Sequence, residues 1–416
     1  MLLHLQSAFG ICVIVALAWA MSEDRRSFPW ATVAAGLVLQ AAIALLLLKV
    51  PLARQGLLAL NGAVDALTGA TRVGTSFVFG FVGGGAPPFA VTNPAGMTSF
   101  AFGILPLVIV ISALSALLWH WRILQLIVKA MALALRKTMN IGGAAGLGSA
   151  ATIFLGMVEA PLLIRPYLAK LTRSELFILM TVGLASVAGT VFFLYASILK
   201  DAVPGALGHV LIASMMSLPA AILIARIMIP GEVGVATEAA SDLQYRSSMD
   251  AVARGTEDGL KIYLQILAML IVMVALVALA DAVLKSLPPL FGAPLSLERV
   301  LGWLFAPVVW LFGVPWGQAA TAGSLMGVKT VLNELIAYLD LAALPKGALD
   351  ARATLIMVYA LCGFANLGSA GIMIAGMSTL VPERRDEIVG LAMRAIVSGT
   401  MASGLTGAMI GLLPVI

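Results

Sequence analysis

The sequence predicts an all-α protein that crosses a membrane many times, and three observations carry that prediction. Of its 416 residues, 61% are hydrophobic and 11% charged, whereas a soluble domain has about a quarter charged, so charge is too scarce to cover a water-facing surface. Apolar runs near the roughly 20 residues that a span requires recur along the whole chain. Two further stretches are apolar but broken, and each carries one glutamate in its middle.

In order, the N-terminal MLLHLQSAFGICVIVALAWAMSEDRR has no basic leader and no small-residue cleavage site before Ser22, so 3–21 reads as a retained first span. Further candidate spans are 29–50, 101–120, 175–199, 203–229, 262–285, 297–315, 353–379 and 388–416. Residues 52–71 are apolar at helical spacing but interrupted by Arg54, Asn61 and Asp65, which predicts an amphipathic helix in the membrane interface. Residues 122–137 read the same way, with Arg122, Lys129 and Arg136 close together on the helical wheel. The Gly- and Pro-rich FVGGGAPPFAVTNPAG at 81–96 predicts a loop.

The broken stretches are 141–168, IGGAAGLGSAATIFLGMVEAPLLIRPYL, and 314–341, VPWGQAATAGSLMGVKTVLNELIAYLDL. Gly156, Pro161 and Pro166 interrupt the first, around Glu159. Gly323, Gly327 and Lys329 punctuate the second, before Glu334. Each is followed by an apolar segment interrupted by small and polar residues, TVGLASVAGTVFF after Glu159 and LCGFANLGSAGI after Glu334. The same order thus occurs twice, as in secondary transporters whose discontinuous helices meet at the midplane. Unwound backbone survives at that depth only where it is buried or lines a cavity.

Composition excludes much else. The net charge of +5 is scattered in singles and pairs, without basic stripes interleaved with aromatics, which argues against nucleic-acid binding. Cys12 and Cys362 sit in apolar segments outside any metal or disulfide pattern, and His4, His120 and His209 lie far apart. GGAAGLG at 142–148 lacks the lysine and preceding strand of a phosphate loop and reads as small-residue helix packing. No catalytic constellation stands out, so no enzyme and no cofactor are predicted.

A carboxylate near a helix centre costs roughly 2.5–3.5 kcal/mol, which makes Glu159 and Glu334 the leading site candidates. The bland alternatives are a salt bridge from Glu159 to Arg165 and, for Glu334, an intrahelical pair with Lys329 or an interfacial position. Asp65, Asp281 and Asp340 read as interfacial or segment-end charges. Asn366, flanked by small residues, suits a helix break or a sugar-like ligand, with an interhelical hydrogen bond as the alternative. Ser369, Ser186, Thr190 and Thr152 are weaker candidates, because such hydroxyls often bond back to their own helix. Phe364 suits core or stacking platform equally.

The chain resembles the concentrative nucleoside transporters. The likeness runs through GTSFVFGFV (74–82), FAFGILPLVIVISALSALLWHWRILQ (100–125), GMVEAPLLIRPYLAKLTRSELFILMT (156–181), GVPWGQAATAGSLMGVKTVLNE (313–334) and YALCGFANLGSAGI (359–372), about 330 residues in all. The resemblance implies a homotrimer in the plasma membrane, the inner membrane of a bacterium, that imports nucleosides by cation symport. It implies scaffold helices and an inverted-repeat transport domain with two re-entrant hairpins, 141–168 and 314–334, and two unwound helices, 177–199 and 355–379. The chain then divides into 1–140 (N-terminal spans, interfacial helices and part of the scaffold), 141–199 (first repeat), 200–313 (scaffold and linking spans), 314–379 (second repeat) and 380–416 (C-terminal span).

Carried over residue by residue, the resemblance places Glu334, Asn366 and Ser369 at the ribose, Phe364 beside the ligand, and Val191 on the wall of the base pocket. The family's first hairpin reads G-Q-T-E-[AS]-P; here it reads GMVEAP. Glu159 is kept, while Met157 and Val158 replace an amide and a hydroxyl, so a modified or more apolar base, or another non-standard substrate, stands as an alternative. The family's sodium site falls on Thr152, Leu155, Ser186 and Val187, with threonine in place of asparagine. Sodium and proton coupling both stay open, the proton carried by Glu159 or Glu334. An intramembrane enzyme and a nucleoside-binding sensor are the remaining alternatives.

Overall fold

A computed structural model describes residues 2–92, 99–232, 234, 244–290 and 294–414. The regular elements among these residues are all helices, without a β-strand. Among them, seven helices are long and apolar enough to cross a membrane. Two open the chain, α1 (Leu2–Ala20) and α2 (Trp30–Lys49), and α3 (Pro51–Phe79) continues from α2 through Pro51 at its first turn. The candidate interfacial helix at 52–71 is part of α3, but the side chains of Arg54 and Asn61 lie outside the described residues, while Asp65 is exposed. The candidate loop at 81–96 begins with a 3₁₀ turn (Gly80–Gly83); residues 93–96 lie outside the described residues.

A π-helical turn (Phe100–Ile104) leads into α4 (Leu107–His120), and α5 (Ile123–Met139) follows. α5 is amphipathic as predicted: Leu124, Val128, Ala132, Leu135 and Met139 are buried along one face, while Lys129 is exposed.

The first broken stretch forms α6 (Gly143–Leu155), α7 (Glu159–Leu163) and α8 (Arg165–Leu168). The next span is itself interrupted, as α9 (Arg173–Ala185) and α10 (Gly189–Leu199). A reciprocal capping box starts α9: Glu175 N–H donates to Thr172 Oγ1 at 3.2 Å, and Thr172 N–H to Glu175 Oε2 at 3.0 Å. α11 (Ala206–Met228) is buried over most of its length and packs on α2, α9, α10 and α18.

α12 (Ser248–Lys285) has 38 residues and starts well before the 262–285 apolar run, because a polar amphipathic segment capped by Ser247 extends it. α13 (Leu297–Leu311), at 15 residues, is shorter than a full span. It packs along α14 (Trp316–Val331), and the two are bent by 114° at the break between them. The second broken stretch continues as α15 (Glu334–Ala343), and 353–379 separates into α16 (Ala351–Leu361) and α17 (Leu367–Leu380). α18 (Arg385–Leu412) closes the chain against α1, α9, α11 and α16.

At one end the connecting segments are tied by charge. Glu23, in the α1–α2 connection, receives Arg173 at 2.9 Å and also pairs with Arg394 of α18. Arg384 bonds Glu387 at 2.7 Å and the carbonyls of Leu168 and Leu171.

Candidate functional site

The four helix breaks converge. In the first repeat, α6 ends at Gly156, whose φ of +96° lies in the left-handed region that favours glycine. A Cβ there would stand 2.9 Å from Glu159 Oε2 and 3.2 Å from Ala188 Cβ. The glycine thus lets the carboxylate fold over the break and lets the α9–α10 interruption approach. A Cβ on Gly189 would likewise crowd the carbonyls of Ile153 and Phe154 at 3.2 Å, so the end of α6 touches that interruption.

In the second repeat both helix restarts are capped by asparagine. Asn333 Oδ1 accepts Ile336 N–H at 2.9 Å, and Asn366 Oδ1 accepts Ser369 N–H at 2.8 Å. The repeats join directly, because Phe364 N–H donates to the Ser186 carbonyl at 3.3 Å.

Glu334 sits at the centre of this meeting point, buried. Its Oε1 accepts the Tyr195 hydroxyl at 2.6 Å and its Oε2 accepts Asn366 Nδ2 at 3.2 Å. One carboxylate thus ties α10, α15 and α17 together. Each oxygen retains acceptor capacity for a further donor. The pairing of Glu334 with Lys329 does not form: Lys329, fully buried, donates instead to the Ala360 carbonyl at 2.8 Å and Ser403 Oγ at 2.6 Å. The pairing of Glu159 with Arg165 does not form either. Arg165 is exposed, and Glu159 has no ion pair among the described residues.

The breaks enclose a cavity of about 970 Å³, counted with its mouth. Every substrate-contact candidate lines it: Met157, Val158 and Glu159 from the first broken stretch, Val191 from α10, Glu334 from α15, and Phe364, Asn366 and Ser369 from the α16–α17 break. Met157 and Val158 also pack outward, with Met157 Cβ over Gly183 of α9 and the Val158 methyls over Gly376 of α17.

The cation candidates lie behind the cavity wall, at the abutting ends of α6 and α9. Thr152, Ser186 and Val187 are buried, and Leu155 reaches the cavity. Thr152 Oγ1 donates back to Gly148 O at 2.9 Å and Ser186 Oγ to Val182 O at 2.8 Å, which leaves the hydroxyl lone pairs available to a cation. The Val187 carbonyl accepts Ser214 Oγ at 3.3 Å. This set is neutral oxygen, and no cluster of three or more His, Cys, Asp or Glu able to hold a metal occurs among the described residues.

Sequence reasoning missed Tyr195, Asn333 and Gln265 in the cavity, and the true partners of Lys329. Tyr195 carried a signal, since it lies four residues after Val191 on the same helix face. Asn333 also carried one, as an asparagine immediately before a glutamate-led helix.

Comparison with known proteins adds the following. A model described as the C-terminal part of Na+ dependent nucleoside transporters matches residues 209–411, its N-terminal counterpart matches 9–82, and a nucleoside-recognition gate model matches 101–202. The chain is 36% identical to an uncharacterized transporter, YutK, of Bacillus subtilis, over 97% of this chain and 98% of that one. It is 34% identical to the nucleoside permease NupC of Helicobacter pylori, over 98% and 97%. Among solved structures, CNTnw in an inward-facing substrate-bound state superposes with a TM-score of 0.89 at 35% identity, over 98% of each chain.

Proposed function

The chain belongs to the concentrative nucleoside transporter family, a multi-pass symporter of the plasma membrane that imports nucleosides together with a cation, and from that premise we propose how its residues divide the work. Glu334, Asn366 and Ser369 take the ribose. A carboxylate accepts from vicinal hydroxyls, while an amide both donates and accepts. Phe364 packs beside the ligand, and Met157, Val158, Glu159 and Val191 surround the base. The observation that carries this reading is the buried Glu334 carboxylate, bonded to Tyr195 and Asn366 while facing the cavity.

Residues 141–199 and 314–379 form the two transport repeats, with 141–168 and 314–334 as re-entrant hairpins. Segments 1–140 and 200–313 supply the scaffold, and 380–416 the closing span. The transporter is a homotrimer bedded in membrane lipid, and it leaves its substrate chemically unchanged. Sodium is the coupling ion, held by Thr152, Ser186 and the carbonyls of Leu155 and Val187. The neutral oxygen set at the touching ends of α6 and α9 supports it. A proton is the second reading, favoured by the absence of an ion pair at Glu159 among the described residues.

The test is uptake of radiolabelled uridine and adenosine into proteoliposomes under a sodium gradient, a proton gradient, and neither. Sodium-driven uptake that Thr152→Ala weakens supports the first reading. Uptake driven by protons alone moves the coupling role to a carboxylate. If Glu334→Gln and Asn366→Ala proteins take up both nucleosides as the parent does, the ribose assignment is wrong.

A further inference from the structure

The cavity has two walls of different origin. The broken helices supply one, with Glu334, Asn366 and Ser369 on it. α12 supplies the other through Ile262, Gln265, Ile266 and Met269, the i, i+3, i+4, i+7 stripe of one helix face. α12 packs chiefly along α4, and Met269 reaches across to within 3.1 Å of a Cβ built on Gly368.

Gln265 is the anomaly of that wall. From 262 to 280, α12 carries apolar side chains except Tyr263 and Gln265. Tyr263 is satisfied, its hydroxyl donating to the Ala101 carbonyl at 3.2 Å. Gln265 lines the cavity with its side chain exposed, and no hydrogen bond from its amide to another described residue occurs. The amide is therefore free to meet a partner that enters the cavity, and shutting it against that apolar wall without one would be costly.

The other polar groups on the apolar side of the cavity are poorer partners for a base. Glu159 as a carboxylate only accepts, and its Oε2 lies over Gly156; Thr190 offers a single, buried hydroxyl. A primary amide donates and accepts side by side. It matches both the N3–H and O4 edge of uracil and the N1 and N6 edge of adenine, while Ile262, Ile266 and Met269 suit the base's apolar faces.

We propose that Gln265 is a specificity residue of this transporter, pairing with the hydrogen-bonding edge of the nucleobase from the α12 wall. The proposal rests on the reading that Glu334 and Asn366 take the ribose.

The experiment measures binding of uridine, adenosine and a phenyl C-riboside, whose aromatic ring has no polar edge, to the purified full chain and to Gln265→Leu. In the parent chain uridine binds more tightly than the phenyl riboside. In Gln265→Leu, uridine and adenosine weaken about tenfold, the equivalent of one lost hydrogen bond, while the phenyl riboside holds within about twofold. Equal parent affinity for uridine and the phenyl riboside overturns the proposal whatever the variant does. So does an unchanged preference for uridine in Gln265→Leu. Glu334→Gln separates the two readings: it weakens all three ligands together if the ribose assignment holds, and none of them if that assignment is what fails.

Discussion

The two repeats follow one plan, a helix, a break with a glutamate, and an interrupted helix, yet they satisfy their breaks in opposite ways. The polar groups of the second repeat are already bonded, with Tyr195 of the first repeat among their partners. Asn333 and Asn366 cap its restarts, Tyr195 and Asn366 hold Glu334, and Lys329 sits on the Ala360 carbonyl near the end of α16. The first repeat is left open. Val158 and Ala188 start α7 and α10 without side-chain caps, Glu159 lacks an ion pair among the described residues, and Thr152 and Ser186 present hydroxyl oxygens. A site whose polar groups are already hydrogen-bonded is preorganised for a ligand of fixed shape. One whose groups await partners suits what comes and goes with each transport cycle.

This contrast can be broken most sharply at Glu334. Replacing it with glutamine removes the charge that both Tyr195 and Asn366 address, and uridine uptake falls about 100-fold, equivalent to roughly 3 kcal/mol. Glu159→Gln leaves more residual uptake and alters the response to an imposed gradient; equal losses in the two variants would erase the asymmetry. Next comes Lys329→Ala, which strands the Ala360 carbonyl, takes a donor from Ser403, whose hydroxyl still bonds the Thr400 carbonyl, and opens a void, costing about 3 kcal/mol by denaturation of the purified chain. Its counterpart Thr152→Ala changes stability by about 1 kcal/mol or less but raises the half-saturating sodium concentration about tenfold, as the proposed role of Thr152 as a sodium ligand predicts.

The smallest effect lies outside both repeats. Arg173 beside Glu23 holds that carboxyl below its ordinary range, with Arg394 adding to the effect. A depressed carboxyl stabilises the fold above its unfolded pKa and loses that contribution as pH falls through the folded value. Glu23→Gln should therefore lower stability at pH 7 by about 0.2–1 kcal/mol, as for exposed ion pairs, and match the parent in acid. A gap that persists in acid would assign Glu23 a role other than its charge.

The sequence made the broken stretches and their glutamates legible because a carboxylate and a proline are conspicuous in hydrocarbon. It also marked Asn366, Ser369 and Phe364, which lie where the break between α16 and α17 needs a cap. Three things were not legible. α12 was read from its apolar half alone, since hydropathy is blind to the polar turns from 248 onward. The partners of Lys329 lie 31 and 74 residues away, beyond any local spacing rule. Gln265 carries no signal in the sequence, because only the fold sets α12 opposite the breaks.

Lys329 also links an early part of the second half of the chain to parts made after it. An ammonium in the middle of a membrane helix costs about 2.5–3.5 kcal/mol until it is paired. The Ala360 carbonyl and the Ser403 hydroxyl both emerge from the ribosome after it, and Ser403 belongs to the final helix. Until α18 is in place the Lys329 ammonium lacks its Ser403 partner, so a chain shortened before Ser403 should reach the membrane in lower yield than the full chain.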